Sequence, residues 1–132
     1  MTSSKDEIQI CQLLESWAKA VRDKDINEIL ANHSQDIVMY DVPMPFQSVG
    51  IDAYRETWST FFAWSSNFGV FDIQELHITA GKDVAFCFAS MQCAGSDNSG
   101  VKEVLNFRLT VGLRKINNQW IVTHEHHSLP SI

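Results

Sequence analysis

The chain begins with a helical period and ends with an alternating one. Ile10, Leu13, Leu14, Trp17, Ala18 and Val21 recur every three or four positions, which sets them along one stripe of a helix. Ser4 followed by Glu7 has the spacing of a capping box at its start. The polar run Arg22-Asp-Lys-Asp25 interrupts the stripe. Asp25 with Glu28 marks a second N-terminus, and Ile26, Ile29 and Leu30 predict a short second helix. His33 falls near its end, where a cation suits the helix dipole. Residues 36–41 predict a short strand. Residues 42–50 contain Pro43 and Pro45, which forbid regular structure. A third helix is expected from 51 to about 64, with Tyr54, Trp58, Phe61 and Phe62 on one face.

Beyond that helix the period drops to two. Residues 68–79, 84–94, 101–116 and 120 onward predict strands. Turns are expected at 80–83 and 95–100, and Asn117-Asn118 suits a type I′ hairpin. Helices first and strands after predict an α+β architecture in one domain of 132 residues.

The last strand carries three of the five histidines, His124, His126 and His127, and Pro130 ends it. Trp120, Val122, His124, His126 and Ser128 share one face; Ile121, Thr123, Glu125 and His127 share the other. Counting outward from a two-residue turn sets Leu113 opposite Val122, Val111 opposite His124 and Leu109 opposite His126. This register puts His124 and His126 on the core face and pairs Arg108 with Glu125 on the other. A single bulge would swap every assignment beyond it. Arg108 is then the residue expected to turn inward, toward an anionic group of a ligand.

Charge and cysteine usage narrow the classes. The formal charge is −6 and no Lys/Arg cluster exists, so neither nucleic acid nor a membrane is an expected partner. Cys11, Cys87 and Cys93 are odd in number and lack CxxC spacing, which fits small buried thiols in a reducing compartment. The polar start, Met1 to Asp6, reads as no signal peptide, and a cytoplasmic location is expected. His124-x-His126 could chelate, and Asp41 would complete a two-histidine, one-carboxylate set. Nothing in the spacing fixes that third ligand, so no metal and no cofactor is expected. Eight Phe, four Trp and two Tyr are enough to line an apolar cavity as well as a core.

The stretches Trp17-Ala-Lys-Ala-Val-Arg-Asp-Lys-Asp25, Gln35-Asp-Ile-Val-Met-Tyr-Asp41 and Gly50-Ile-Asp-Ala-Tyr-Arg-Glu-Thr-Trp58 carry a family resemblance, as do Arg108-Leu-Thr-Val-Gly-Leu-Arg-Lys115 and Trp120-Ile-Val-Thr-His-Glu-His-His-Ser128. Together they resemble the ketosteroid isomerase-like and SnoaL-like branch of the nuclear-transport-factor-2-like superfamily. The resemblance implies a cone-shaped fold, three N-terminal helices packed on a strongly curved antiparallel sheet, with an apolar cavity between them and a homodimeric assembly. It places Asp41 where steroid isomerases hold a general base. Trp17 stands at the position similar to their tyrosine oxyanion donor, and Val111 at that of their protonated carboxylic acid. The base is kept and both oxyanion donors differ.

Two functions follow as expectations. One is acid–base catalysis on a small apolar, carbonyl-containing molecule, of isomerase, cyclase or hydrolase type. Asp41 would be the base, His126 and then His124 its polar partners, and Trp17 or Tyr40 the donor to the oxygen. A base of this kind is expected to be buried, its carboxyl pushed up by desolvation. The other is non-catalytic: the same cavity, lined by Trp17, Phe46, Tyr54, Trp58, Phe62 and Phe88, would hold a ligand, or the sheet would serve only as a dimerisation module.

Overall fold

A computed structural model of the chain describes residues 4–65 and 68–131. The first residues of the polar start, 1–3, lie outside them.

Three helices and six strands follow in the order α1 (Lys5–Arg22), α2 (Ile26–Leu30), β1 (His33–Tyr40), β2 (Ser48–Val49), α3 (Ile51–Ser65), β3 (Phe71–Ala80), β4 (Val84–Ser96), β5 (Lys102–Ile116) and β6 (Gln119–Ser128). Ser4 caps α1 by accepting from the Glu7 N–H, and Asp25 caps α2 by accepting from Glu28. The α1 stripe buries Ile10, Leu14, Trp17, Ala18 and Val21. Arg22, at its end, donates from Nη1 to the Phe71 carbonyl at 2.8 Å and ties α1 to β3. Tyr54 and Trp58 of α3 are buried, with Phe61 and Phe62 half-buried beside them.

The α+β class and the three helices stand as the sequence reads. A two-residue strand, β2, lies within residues 42–50, where no regular structure is expected, β4 runs on to Ser96 into the expected turn, and two strand starts move by three residues. β1 begins at His33 rather than 36, since α2 has already ended at Leu30. β3 begins at Phe71 rather than 68, because Gly69 has φ 62, off the strand conformation. The turn Asn117-Asn118 has positive φ at both residues, 50 and 66, as a type I′ turn requires.

The sheet runs β2-β1-β6-β5-β4-β3 and is mixed rather than all antiparallel. β1 and β6 run parallel, with Val38 opposite His124 and Tyr40 opposite His126. Every other pairing is antiparallel. α1 packs against β3, and α3 against β1 and β4, so one sheet face is covered and the other is open. No helix among the described residues is long and apolar enough to cross a membrane.

The feature of the sheet that governs the site is a bulge in β6. Leu113 pairs with Val122 as counted, but Gly112 pairs with His124, leaving Thr123 as the extra residue. Thr123 Oγ1 donates to the Gly112 carbonyl at 3.3 Å. Past this point Val111 faces Glu125 and Leu109 faces His127. Glu125 and His127 are therefore inside, and His124 and His126 outside.

Gly95 of β4 lies against α3, directly under the Trp64 side chain. A Cβ there would collide with the Trp64 indole of α3. Gly95→Ala is expected to destabilise by about 1–3 kcal/mol, the usual cost of overpacking. Urea unfolding would measure it, and an unchanged midpoint would show that α3 can move away from the sheet.

Candidate active site

Between α3, the loop after β1 and the inner ends of β4 to β6 lies a cavity of about 550 Å³. Its walls are apolar: Met39, Trp58, Phe61, Phe71, Cys93 and Phe107. Val42, Pro43, Met44 and Pro45 form the rim. Among the titratable lining groups, Asp41 and His127 face each other, with Asp41 Oδ1 and His127 Nδ1 3.9 Å apart. That is too long for a hydrogen bond and leaves room for a substrate atom to approach both.

Each is placed for a separate reason. Asp41 follows the last residue of β1 and its Oδ1 accepts from the Val42 N–H at 2.8 Å, the contact of a turn residue. Its side chain keeps 24% of its exposure, so it sits at the rim and the expected burial is not met. His127 is on the inner face of β6 because of the bulge and is 7% exposed. Phe107 stacks on its ring at 5.6 Å, and Trp17 and Trp58 meet it edge-on at 6.3 and 6.2 Å.

Behind His127 a polar network runs through the core. His127 Nε2 lies 3.2 Å from Glu125 Oε1. Glu125 Oε2 accepts from the Tyr54 hydroxyl at 2.6 Å and lies 3.1 Å from His33 Nε2. Trp17 Nε1 donates to the Tyr54 oxygen at 3.0 Å, and His33 Nδ1 meets the Ala31 carbonyl at 2.8 Å. The Glu125 side chain is 1% exposed and that of His33 2%. Burial alone would push the Glu125 carboxyl up, but hydrogen bonds from His127 and His33 outweigh it and hold it at about 2. Burial, with the Glu125 charge beside it, pushes the Tyr54 phenol well above its ordinary value, so Tyr54 stays a donor. Burial and the charge of Asp41 push the Cys93 thiol up to about 12, which makes it a wall and not a nucleophile. Trp58 Nε1, at the cavity wall, is buried without a hydrogen-bond partner.

The expected site residues divide by sheet face. Asp41 and Trp58 line the cavity. Trp17 and Tyr54 lie in the core beneath it, joined to Glu125. Phe62 packs on Trp58 at 6.4 Å but is not a lining residue. The bulge corrects His124 and His126. Both look away from the cavity, His126 is exposed, and His124 Nδ1 is taken by the Val38 carbonyl at 2.7 Å. Tyr40 packs against both rings on that outer face. Phe88 is also outside, half exposed and stacked on His77 at 4.8 Å. Arg108 stays outside as well, because the extra residue lies in β6 and not in β5; its Nε donates to Ser128 at 3.1 Å. Phe46 projects from the rim loop with 86% of its surface exposed. No group of three His, Cys, Asp or Glu among the described residues is arranged to hold a metal ion.

Reasoning from the sequence therefore missed His33, Glu125 and His127 as one cluster. A signal for the last two was present: Gly112 sits in the middle of a long strand, where glycine often marks a bulge.

A model of the SnoaL-like domain matches residues 10–132. No curated protein matches the chain. Among solved structures, the chain is similar to a nuclear-transport-factor-2-like protein of unknown function from Pseudomonas putida, with 34% identity over 100% of this chain and 92% of that one and a TM-score of 0.86. A ketosteroid isomerase-like protein from Erwinia carotovora is 19% identical over 98% of this chain and 100% of that one, TM-score 0.79. An uncharacterised protein with a cystatin-like fold from Caulobacter vibrioides is 15% identical over 97% and 92%, TM-score 0.79. The last two likenesses are of fold alone.

The Glu125 value gives the network a pH signature. Its carboxyl lies at about 2 in the folded chain against 4.5 when free, so its stabilisation is complete above pH 4.5 and is lost as pH falls toward 2. The amount is on the order of 3 kcal/mol. Urea midpoints taken across that range should fall more steeply in the wild type than in Glu125→Gln. Parallel falls would mean that the carboxylate is not held as described.

Proposed function

We propose that the chain, which belongs to the SnoaL-like domain family, binds a small, largely apolar carbonyl compound in its cavity and moves protons on it at the site where Asp41 faces His127. The observation that carries this reading is the facing pair: one carboxylate and one imidazole, 3.9 Å apart, on the wall of a largely apolar cavity whose other polar lining residues include Gln47, Glu56 and Thr57. An imidazole faced by a carboxylate can remove a proton next to a carbonyl and return it elsewhere, or activate water. The surrounding aromatics exclude bulk water, which strengthens both interactions.

A test uses the exchange of protons α to a carbonyl. A panel of small apolar ketones is incubated with the protein in deuterium oxide and followed by proton NMR. Faster exchange with the wild type, lost by roughly 10²–10⁴-fold in His127→Asn, is the expected result. Thermal stabilisation by a ketone without any exchange would favour a second reading, a binding protein, which the Asp41 hydrogen bond to its own loop supports. Neither exchange nor stabilisation would remove the carbonyl-ligand reading.

The open sheet face supports a homodimer. Phe86 and Phe88 are half exposed there, flanked by Tyr40, His77 and His126. Exposed rings spread across one sheet face, even with Thr110 of β5 between them, are better buried against a second copy than left in water. Light scattering should give twice the chain mass for the wild type and less for Phe88→Lys. A monomeric wild type at micromolar concentration would rule out this assembly.

A further inference from the structure

We propose that the buried pair His33 and Glu125 holds His127 as a neutral ring protonated at Nε2, so that His127 Nδ1, and not Asp41, is the atom that takes the substrate proton. The proton positions follow from the structure alone; the role of Nδ1 rests on the acid–base reading above.

The hydrogen bonds leave little choice. The Ala31 carbonyl can only accept, so His33 Nδ1 carries a hydrogen. Trp17 Nε1–H can only donate, and it donates to the Tyr54 oxygen. Tyr54 spends its own proton on Glu125 Oε2 at 2.6 Å. That oxygen is an acceptor, and so is the ionised carboxylate as a whole. His33 Nε2, 3.1 Å from the same oxygen, must then donate too. His33 thus carries hydrogens on both ring nitrogens and is an imidazolium, 2% exposed, whose charge is balanced by Glu125.

Glu125 Oε1 remains, 3.2 Å from His127 Nε2, and it too can only accept. His127 Nε2 therefore carries a hydrogen. His33 already neutralises Glu125, and the Asp41 carboxylate at the rim, 3.9 Å away and 24% exposed, lies beyond hydrogen-bond reach of Nδ1, so it does not hold a second hydrogen there and His127 is left neutral. Its Nδ1 lone pair points toward Asp41 and the cavity, at 3.9 Å from Oδ1, with no donor on it. Asp41 Oδ1, by contrast, is engaged by the Val42 N–H.

The step this supports is balanced. A C–H bond next to the carbonyl breaks, the proton goes to His127 Nδ1, and the electron pair moves to the carbonyl oxygen as an enolate. The imidazolium so formed stands between Asp41 and Glu125, two carboxylates that stabilise it. It then returns the proton from Nδ1 to carbon or oxygen. Asp41 and Glu125 position and stabilise; neither exchanges a proton with substrate.

Nitrogen-15 long-range correlation spectra of the histidine rings read this directly at neutral pH. His33 and His127 are assigned by difference, using His77→Gln, His124→Gln and His126→Gln, all outside the site. The expected spectrum has one ring protonated at both nitrogens, His33, and one neutral ring with its hydrogen on Nε2, His127. A His127 ring protonated at Nδ1, or a neutral His33, would overturn the proposal. In Glu125→Gln, His33 should lose its second proton and α-proton exchange should slow by roughly 10²-fold or more. Since the wild-type spectrum does not depend on turnover, a failed exchange assay with the expected tautomers removes only the catalytic reading. Exchange with the wrong tautomer removes only this assignment.

Discussion

Glu125 is a carboxylate placed where water does not reach, surrounded by Trp17, Tyr54 and the inner face of the sheet. An ionised group in that position is tolerated only when its charge is balanced and its oxygens are filled with donors. His33 from the start of β1, Tyr54 from α3 and His127 from β6 supply them. One buried charge thus ties three elements that are far apart in the chain. Removing any one partner leaves a buried polar atom unsatisfied, so the network constrains the core beyond what its aromatic packing alone would do.

The same constraint shapes the cavity. The side of Glu125 that faces His33 is closed, and the side that faces His127 opens on the cavity through the imidazole. His127 is gripped between Phe107, Trp17 and Trp58 and cannot turn freely. A histidine with a fixed ring and a carboxylate behind it is a common way to prepare a base. Here that carboxylate comes from two residues earlier on the same strand, on the same face, which is what a period of two provides. Asp41 meets the imidazole from the other side, at the rim, where the loop after β1 begins. The apolar remainder of the cavity sets what can enter; the pair at its wall sets what can happen there.

The open face of the sheet holds the residues that sequence alone had turned inward. Tyr40, Phe88, His124 and His126 lie on it, together with Arg108, which the register without a bulge had already placed outside. Their chemistry belongs to an exterior surface and not to the cavity. Phe88 shows why. On β4 it alternates with Cys87 and Ala89, which are buried, so its parity alone could have placed it outside had the buried parity been known.

The sequence by itself determined the elements and their order. The α1 stripe, the two helix caps and the Asn117-Asn118 turn are local signals, each set by interactions within a few residues, and they read correctly; the short strand β2 inside the proline-rich loop, which forms only by pairing with β1, was missed. The α+β class follows from that order, and the family resemblance from the sequence stretches that carry it. Which face of β6 looks inward did not follow. A single extra residue, Thr123, reverses every side chain beyond it, and a bulge is settled by how the sheet twists onto the helices rather than by the strand's own alternation. The parallel pairing of β1 with β6 is likewise a contact across most of the chain, with no local signature. Only the tertiary structure brings His33 against Glu125, because nothing short of closing the sheet around a buried charge specifies that meeting.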